Sequence, residues 1–238
     1  NRLFLIVCKI SKMNKVLKTV GLLVILATIS SCAVKMPLST NYFSNQKTVG
    51  VIYLIDSIGV YKEGSQGLLD MALTSGNRFK EPLSIVSKKI NPDDAIKDLY
   101  KQLFDSKGKP LNEIDFDFDR KKLTKFEKDP RSQKLYYYHD LRFLKEEEGI
   151  DELLIIHAKH GLLVSYYGMI ETGKMGYCRI DAEIINLSDN SIIFKDFSNS
   201  AEKIEGKWNT PPDYENLKNS IAQAISKTMS LERKKMNH

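Results

Sequence analysis

Cysteine is scarce: the chain has three in 238 residues, and Cys8 and Cys32 both fall in the first 32. Only Cys178 remains beyond them, so that part can form no internal disulfide and must be stabilised by its core. About 200 residues suffice for that and point to one domain. Net charge is scarce too. The total is +6, but five of the 36 basic residues (Arg2, Lys9, Lys12, Lys15, Lys18) and no acids lie in residues 1–32. That leaves 31 basic against 30 acidic residues, with no global field to attract nucleic acid. Gly-x-Ser-x-Gly, His-Glu-x-x-His and phosphate-loop patterns are all missing, so the hydrolases, zinc proteases and nucleotidases they mark are not indicated. There is no internal repeat and no low-complexity segment. The apolar run Val20–Ile29 is far shorter than the ~17–25 residues a membrane-crossing helix needs.

What is present near the start has the grammar of a secretory signal. The chain opens on Asn1, so translation is expected to begin at Met13, with residues 1–12 upstream of it. Lys15 and Lys18 form a positive n-region, and Val20–Ile29 forms the apolar h-region. Ile29-Ser30-Ser31-Cys32 follows: an aliphatic residue, two small ones and a cysteine. This resembles the lipobox of bacterial lipoproteins. The resemblance implies diacylglycerol on the Cys32 thiol, cleavage before Cys32, and stable anchoring by several acyl chains without a spanning helix. Residues 33–46 (AVKMPLSTNYFSNQ) read as a polar tether, leaving 47–238 as the domain. No acidic run follows Cys32, which favours a periplasm-facing protein on the bacterial cell membrane or outer membrane.

The domain reads as α/β (α+β): a mixed sheet with a C-terminal antiparallel meander and packing helices. Thr48–Ile55 is β-branched and reads as a strand. Gly64–Gly67 opens a helical stretch to about Ser75, and Ser84–Ile90 reads as a second helix. Asn91 caps a third helix with Pro92 at its first position. Ile114, Phe116 and Phe118 alternate with aspartates as in an extended segment, and Asp140–Glu148 is helical. Four strands follow at 152–157, 162–170, 176–187 and 191–200, with turns at 160–161, 172–174 and 188–190. Thr210-Pro211-Pro212-Asp213 reads as a capping box for a final helix.

A helix running into Gly149-Ile150-Asp151-Glu152-Leu153-Leu154-Ile155-Ile156, then Ile184-Ile185-Asn186-Leu187 turning into Ile192-Ile193-Phe194, is similar to a group of envelope proteins. The group includes the curli-secretion lipoprotein, lipoprotein activators of penicillin-binding proteins and the N-terminal domain of the Tol periplasmic protein. The likeness follows the order of elements over residues 48–200, and the insert 77–138 departs from it. It implies partner binding or assembly, and no catalytic residue carries over.

Candidate chemistry is thin. Asp115, Asp117 and Asp119 have calcium-like alternation, but Arg120 and Phe126 stand where the calcium loop needs Gly and Glu, so a solvated face is expected. His157 and His160 would point to opposite faces of a strand, with no third zinc ligand evident. Cys178 shares a face with Ile180 and reads as a buried, inert thiol. No metal or cofactor is expected. Tyr136, Tyr137, Tyr138, Tyr166 and Tyr167 are the richest aromatic spots; half should be core and half exposed as an interface. The expected function is a membrane-anchored, non-enzymatic module that binds an envelope protein or itself. The alternative is an envelope glycan or peptide hydrolase using Asp151, Asp181 and Glu183, which requires two carboxylates within reach of each other.

Overall fold

The computed structural model describes residues 35–67, 71, 77–119 and 121–236. Its central strand, β4 (Glu152–Tyr167), is 16 residues long, or ~50 Å at ~3.3 Å per residue. One edge of β4 pairs antiparallel along its length with β5 (Ile170–Asn186). Two parallel strands share the other edge. β1 (Val49–Ile55) runs beside residues 152–158, and β2 (Gly59–Ser65) beside 161–167. β3 (Leu111–Glu113) extends the sheet beyond β1, and β6 (Ser191–Lys203) extends it beyond β5. The result is a six-stranded mixed sheet with antiparallel C-terminal strands. Four α-helices occur among the described residues: α1 (Lys80–Ser87), α2 (Asp93–Asp105), α3 (Leu144–Glu147) and α4 (Glu215–Met236).

Strand alternation sorts the side chains into two clusters. Leu154, Ile156, Ala158, Leu162 and Val164 of β4 join Cys178, Ile180, Ala182 and Ile184 of β5 on one face. Leu83 and Val86 of α1, Ile96, Leu99, Tyr100 and Phe104 of α2, and Leu217, Ile221 and Ala224 of α4 cover them. The common face of Cys178, Ile180, Ala182 and Ile184 is the one the sequence indicates. On the opposite face the second cluster lies at one end, where Leu153, Ile155, Ile185 and Leu187 meet Ile114, Leu141, Leu144 and Ile150.

Several boundaries differ from the sequence reading, each for a physical reason. Residues 152–167 form one strand, not two broken at His160-Gly161. Gly161 has φ +147° inside the unbroken strand, where β2 comes close: a Cβ there would lie 2.0 Å from the Gly59 carbonyl oxygen. The chain reverses at Gly168 (φ +58°), and Thr172-Gly173-Lys174 lie inside β5. Gly64 and Ser65 end β2 and do not open a helix; most of the helix expected up to residue 75 lies outside the described residues. The segment from Ile114 to Asp119 packs its apolar side chains but is a strand only up to Glu113. The helix near 140–148 shrinks to Leu144–Glu147. Pro92, not Asn91, holds the N-cap position of α2; Asn91 sits one residue outside it, its side-chain oxygen accepting from the Asp93 N–H at 3.1 Å. The final helix starts at Glu215, not at Pro211, because Thr210 and Pro211 each precede a proline and are disfavoured from helical geometry.

The described part of the expected tether is docked. Met36 bridges Lys195 of β6 through two backbone hydrogen bonds of 2.8 and 3.0 Å. Tyr42 is buried and sits edge-on to Phe104, 6.5 Å between centroids. Lys109 reaches Asn45 and lies 4.7 Å over the Tyr42 ring, while Lys47 pairs with the buried Glu152 at 3.0 Å.

Candidate functional site

The partly covered sheet face is where a site can form. Its roof is the segment after Lys121, and the roof is held down mainly by one residue. Asn190 ends the β5–β6 turn in left-handed geometry, φ +62°, which asparagine tolerates better than most residues. Its side chain donates to the carbonyls of Tyr137 (3.1 Å) and His139 (2.9 Å) and accepts from the Leu141 N–H (3.0 Å). Tyr136 adds a backbone bridge to Ser191. Lys125 and His139 pair antiparallel inside the roof, tying its two arms together.

Between roof and sheet lies a groove of ≈ 390 Å³. Ile155 and Ile192 give it apolar surface, and Tyr136, Tyr137, Tyr138 and His139 line it from the roof. The strands contribute His157, Asp181, Glu183 and Lys195. His157 and Asp181 are cross-strand partners, as are Glu183 and Lys195. Their charges are paired internally. Arg179 binds both Asp181 oxygens through Nε at 3.0 and 2.8 Å, Lys195 meets Glu183 at 2.5 Å, and His157 Nε2 meets Asp56 at 3.1 Å.

The five tyrosines do not come together. Tyr136 bonds Ser132 at 2.8 Å and stacks on Phe126 with centroids 5.1 Å apart. Tyr137 packs on the second cluster, and Tyr138 is 63% exposed. Tyr166 is buried and Tyr167 is 73% exposed, at the far end of β4. Two residues the sequence reading placed inside a strand or left unremarked join Tyr167 there: Met169 (59% exposed) and Ile170 (67%). The signal for this tip was Gly168, which breaks the strand run.

The remaining candidates dissolve into structure. Asp117 and Asp119 both pair with Lys122, at 3.0 and 3.6 Å. No cluster of three or more metal-ligating side chains occurs among the described residues. His157 lines the groove, while His160 is buried on the helix face, where burial lowers its pKa. Burial pushes the Cys178 thiol up to about 12, so it is not a thiolate at neutral pH. Of the three acids of the hydrolase reading, Asp181 and Glu183 line the groove together and Asp151 lies apart. Asp151 binds the Thr48 N–H and hydroxyl, both at 3.2 Å, and the Thr48 backbone bond holds its carboxyl below the usual range. The strand partner of Asp181 lies six residues further along β4, ~20 Å away. Asp181 and Glu183 are neighbours on one strand face, each held by a basic side chain, with no facing acid among the groove's side chains. Cys32 lies outside the described residues.

No described helix is long and apolar enough to cross a membrane. No protein-family model matches the chain, and no curated protein does. Three solved structures are similar in part. PelC from Paraburkholderia phytofirmans, a dodecamer, aligns with 9% identity over 82% of this chain and 93% of its own, at a TM-score of 0.25. The hypothetical protein CT253 from Chlamydia trachomatis aligns with 8% identity over 80% and 98%, at 0.30. Lipoprotein GNA1162 from Neisseria meningitidis aligns with 13% identity over 77% and 99%, at 0.25. At these scores none of them supplies a fold or a function for this chain.

Proposed function

We propose that this chain is a bacterial envelope lipoprotein, anchored by lipid on Cys32, whose domain is a non-enzymatic module that binds an envelope protein or a second copy of itself. The observation that carries the binding reading is the β4–β5 hairpin tip. Tyr167, Met169 and Ile170 expose most of their surface within four residues of chain. Isolated exposed apolar side chains are ordinary, but a contiguous group including a tyrosine is typical of an interaction surface.

The tip also lies far from where the described chain begins. Met36 bridges Lys195, which pairs with Glu183, which pairs with Ile155. The tip residue Tyr167 lies twelve residues further along β4, ~40 Å away. Cys32 precedes Met36 by four residues.

Two experiments test the two halves separately. Metabolic labelling with palmitate should mark the full chain, and Cys32→Ser should abolish both the label and membrane fractionation. A labelled C32S chain sinks the anchor. Crosslinking in intact cells should give a discrete complex that the double variant Tyr167→Ala/Ile170→Ala loses. Only monomer under several crosslinking chemistries, or a complex indifferent to the tip variant, rejects the binding reading.

A further inference from the structure

The groove under the Tyr136–Tyr138 roof stands apart from the hairpin tip and has its own chemistry. We propose that it binds a neutral saccharide, seated between Tyr138 and the His157–Asp181–Glu183 side chains of the sheet.

A sugar ring presents two kinds of surface. Its C–H faces pack on aromatic rings, and its hydroxyls donate and accept hydrogen bonds at once. The groove offers a match for each. Tyr138 lines it while remaining 63% exposed, with Lys125 5.6 Å from its ring centroid and the His139 ring edge-on at 4.8 Å, so the ring surface left open beside the concavity is what a ligand meets. Ile155 and Ile192 add apolar surface. Donors and acceptors stand on the strands: the carboxylates of Asp181 and Glu183, the Lys195 ammonium and the His157 ring. A carboxylate has about four lone-pair positions and an ammonium three protons, so the internal pairs leave capacity for hydroxyls.

Two observations favour a neutral ligand over an ion. Asp181 is offset by Arg179 and Glu183 by Lys195, so the polar groups select neither sign. The cation position over Tyr138 is already taken by Lys125, 5.6 Å from the ring centroid. The same ion pairs fix the polar groups before anything binds, which lowers the ordering cost of recognition. At ≈ 390 Å³ the groove lies near the small end of the range for small-molecule sites, about 300–1,000 Å³, which suits a short saccharide or one segment of a longer chain.

The test is isothermal titration of the full chain in detergent with maltotriose, cellotriose and chitotriose, beside Nα-acetyl-lysine amide as a cationic probe and glucuronate as an anionic one. At least one neutral trisaccharide should bind more tightly than either charged probe. Tyr138→Ala should weaken it about tenfold, roughly the worth of one ring contact. Tyr138→Phe should restore it, and Tyr167→Ala at the distant tip should leave it unchanged. Because Tyr138 is exposed, its variants should melt with the wild type. Four results overturn the proposal: no trisaccharide binding, tighter binding of a charged probe, indifference to Y138A, or equal loss in Y167A. The hairpin-tip reading is untouched by any of them except the last.

Discussion

Asn190 and Tyr137 are joined by a reciprocal pair of hydrogen bonds: the Tyr137 N–H donates to the Asn190 carbonyl, and the Asn190 side-chain amide donates to the Tyr137 carbonyl, both at 3.1 Å. With the bonds to His139 and Leu141, one buried side chain satisfies three backbone groups of the roof. Asn190→Gly keeps the left-handed backbone at no steric cost and deletes all three bonds. It should lower stability by about 2–4 kcal/mol, since buried backbone groups left unpaired cost about 1–3 kcal/mol each and part is regained by relaxation. Urea unfolding measures this, and amide exchange at Leu141 should accelerate. An N190G protein within ~0.5 kcal/mol of wild type means the roof is held otherwise.

Helix α4 lies against β5 at Gly176, where a Cβ would fall 2.2 Å from the Ser220 carbonyl carbon. The Ser220 hydroxyl accepts from the Gly176 N–H and donates to the Glu202 carbonyl, both at 2.7 Å, pinning the helix to two strands. Gly176→Ala should therefore push helix from sheet at a cost of at least about 1–3 kcal/mol, the usual range for overpacking. Thermal unfolding gives the answer. An unchanged melting temperature contradicts so close an approach.

Two buried groups tilt stability with pH in opposite directions. Burial raises the Glu232 carboxyl pKa, against the neighbouring Ser198 and Tyr100 hydroxyls. The folded state thus keeps a proton that the unfolded chain loses near 4.5, and stability falls as pH rises from there through the raised value. Glu232→Gln keeps an acceptor for the Tyr100 hydroxyl, now 2.8 Å away, and should flatten that decline. Burial lowers the pKa of His160, so the unfolded chain takes up its proton first, near 6.5, and stability falls as pH drops below that. His160→Gln should flatten the acid-side decline alone. Urea unfolding across about pH 4–8 separates the two, and unchanged slopes in both variants discard this account.

The hairpin tip should be dispensable for folding. Tyr167→Ala and Ile170→Ala remove exposed side chains and should change stability by no more than ~0.5 kcal/mol while weakening association. A large loss of stability would show that the tip serves the fold rather than a partner.

The sequence alone determined whatever depends on local periodicity and covalent order. Alternation placed Cys178, Ile180, Ala182 and Ile184 on one buried face, and Asn91-Pro92 marked the start of α2, because each signal lies within a few residues. The α/β class and the antiparallel C-terminal strands were legible for the same reason. The lipobox-like pattern ending at Cys32 is short and linear, and it rests on the sequence alone. Tertiary structure decided the rest. Gly161 reads locally as a turn, yet it lies inside β4, where β2 arrives from a hundred residues earlier to meet it. The groove needs Asn190 to fold the roof back over strands 50 residues away, and no local pattern encodes that distance. Asp151, Asp181 and Glu183 looked equivalent in sequence. Only the strand register showed that the first lies ~20 Å along the sheet from Asp181 and ~13 Å from Glu183, and that each has a partner of its own.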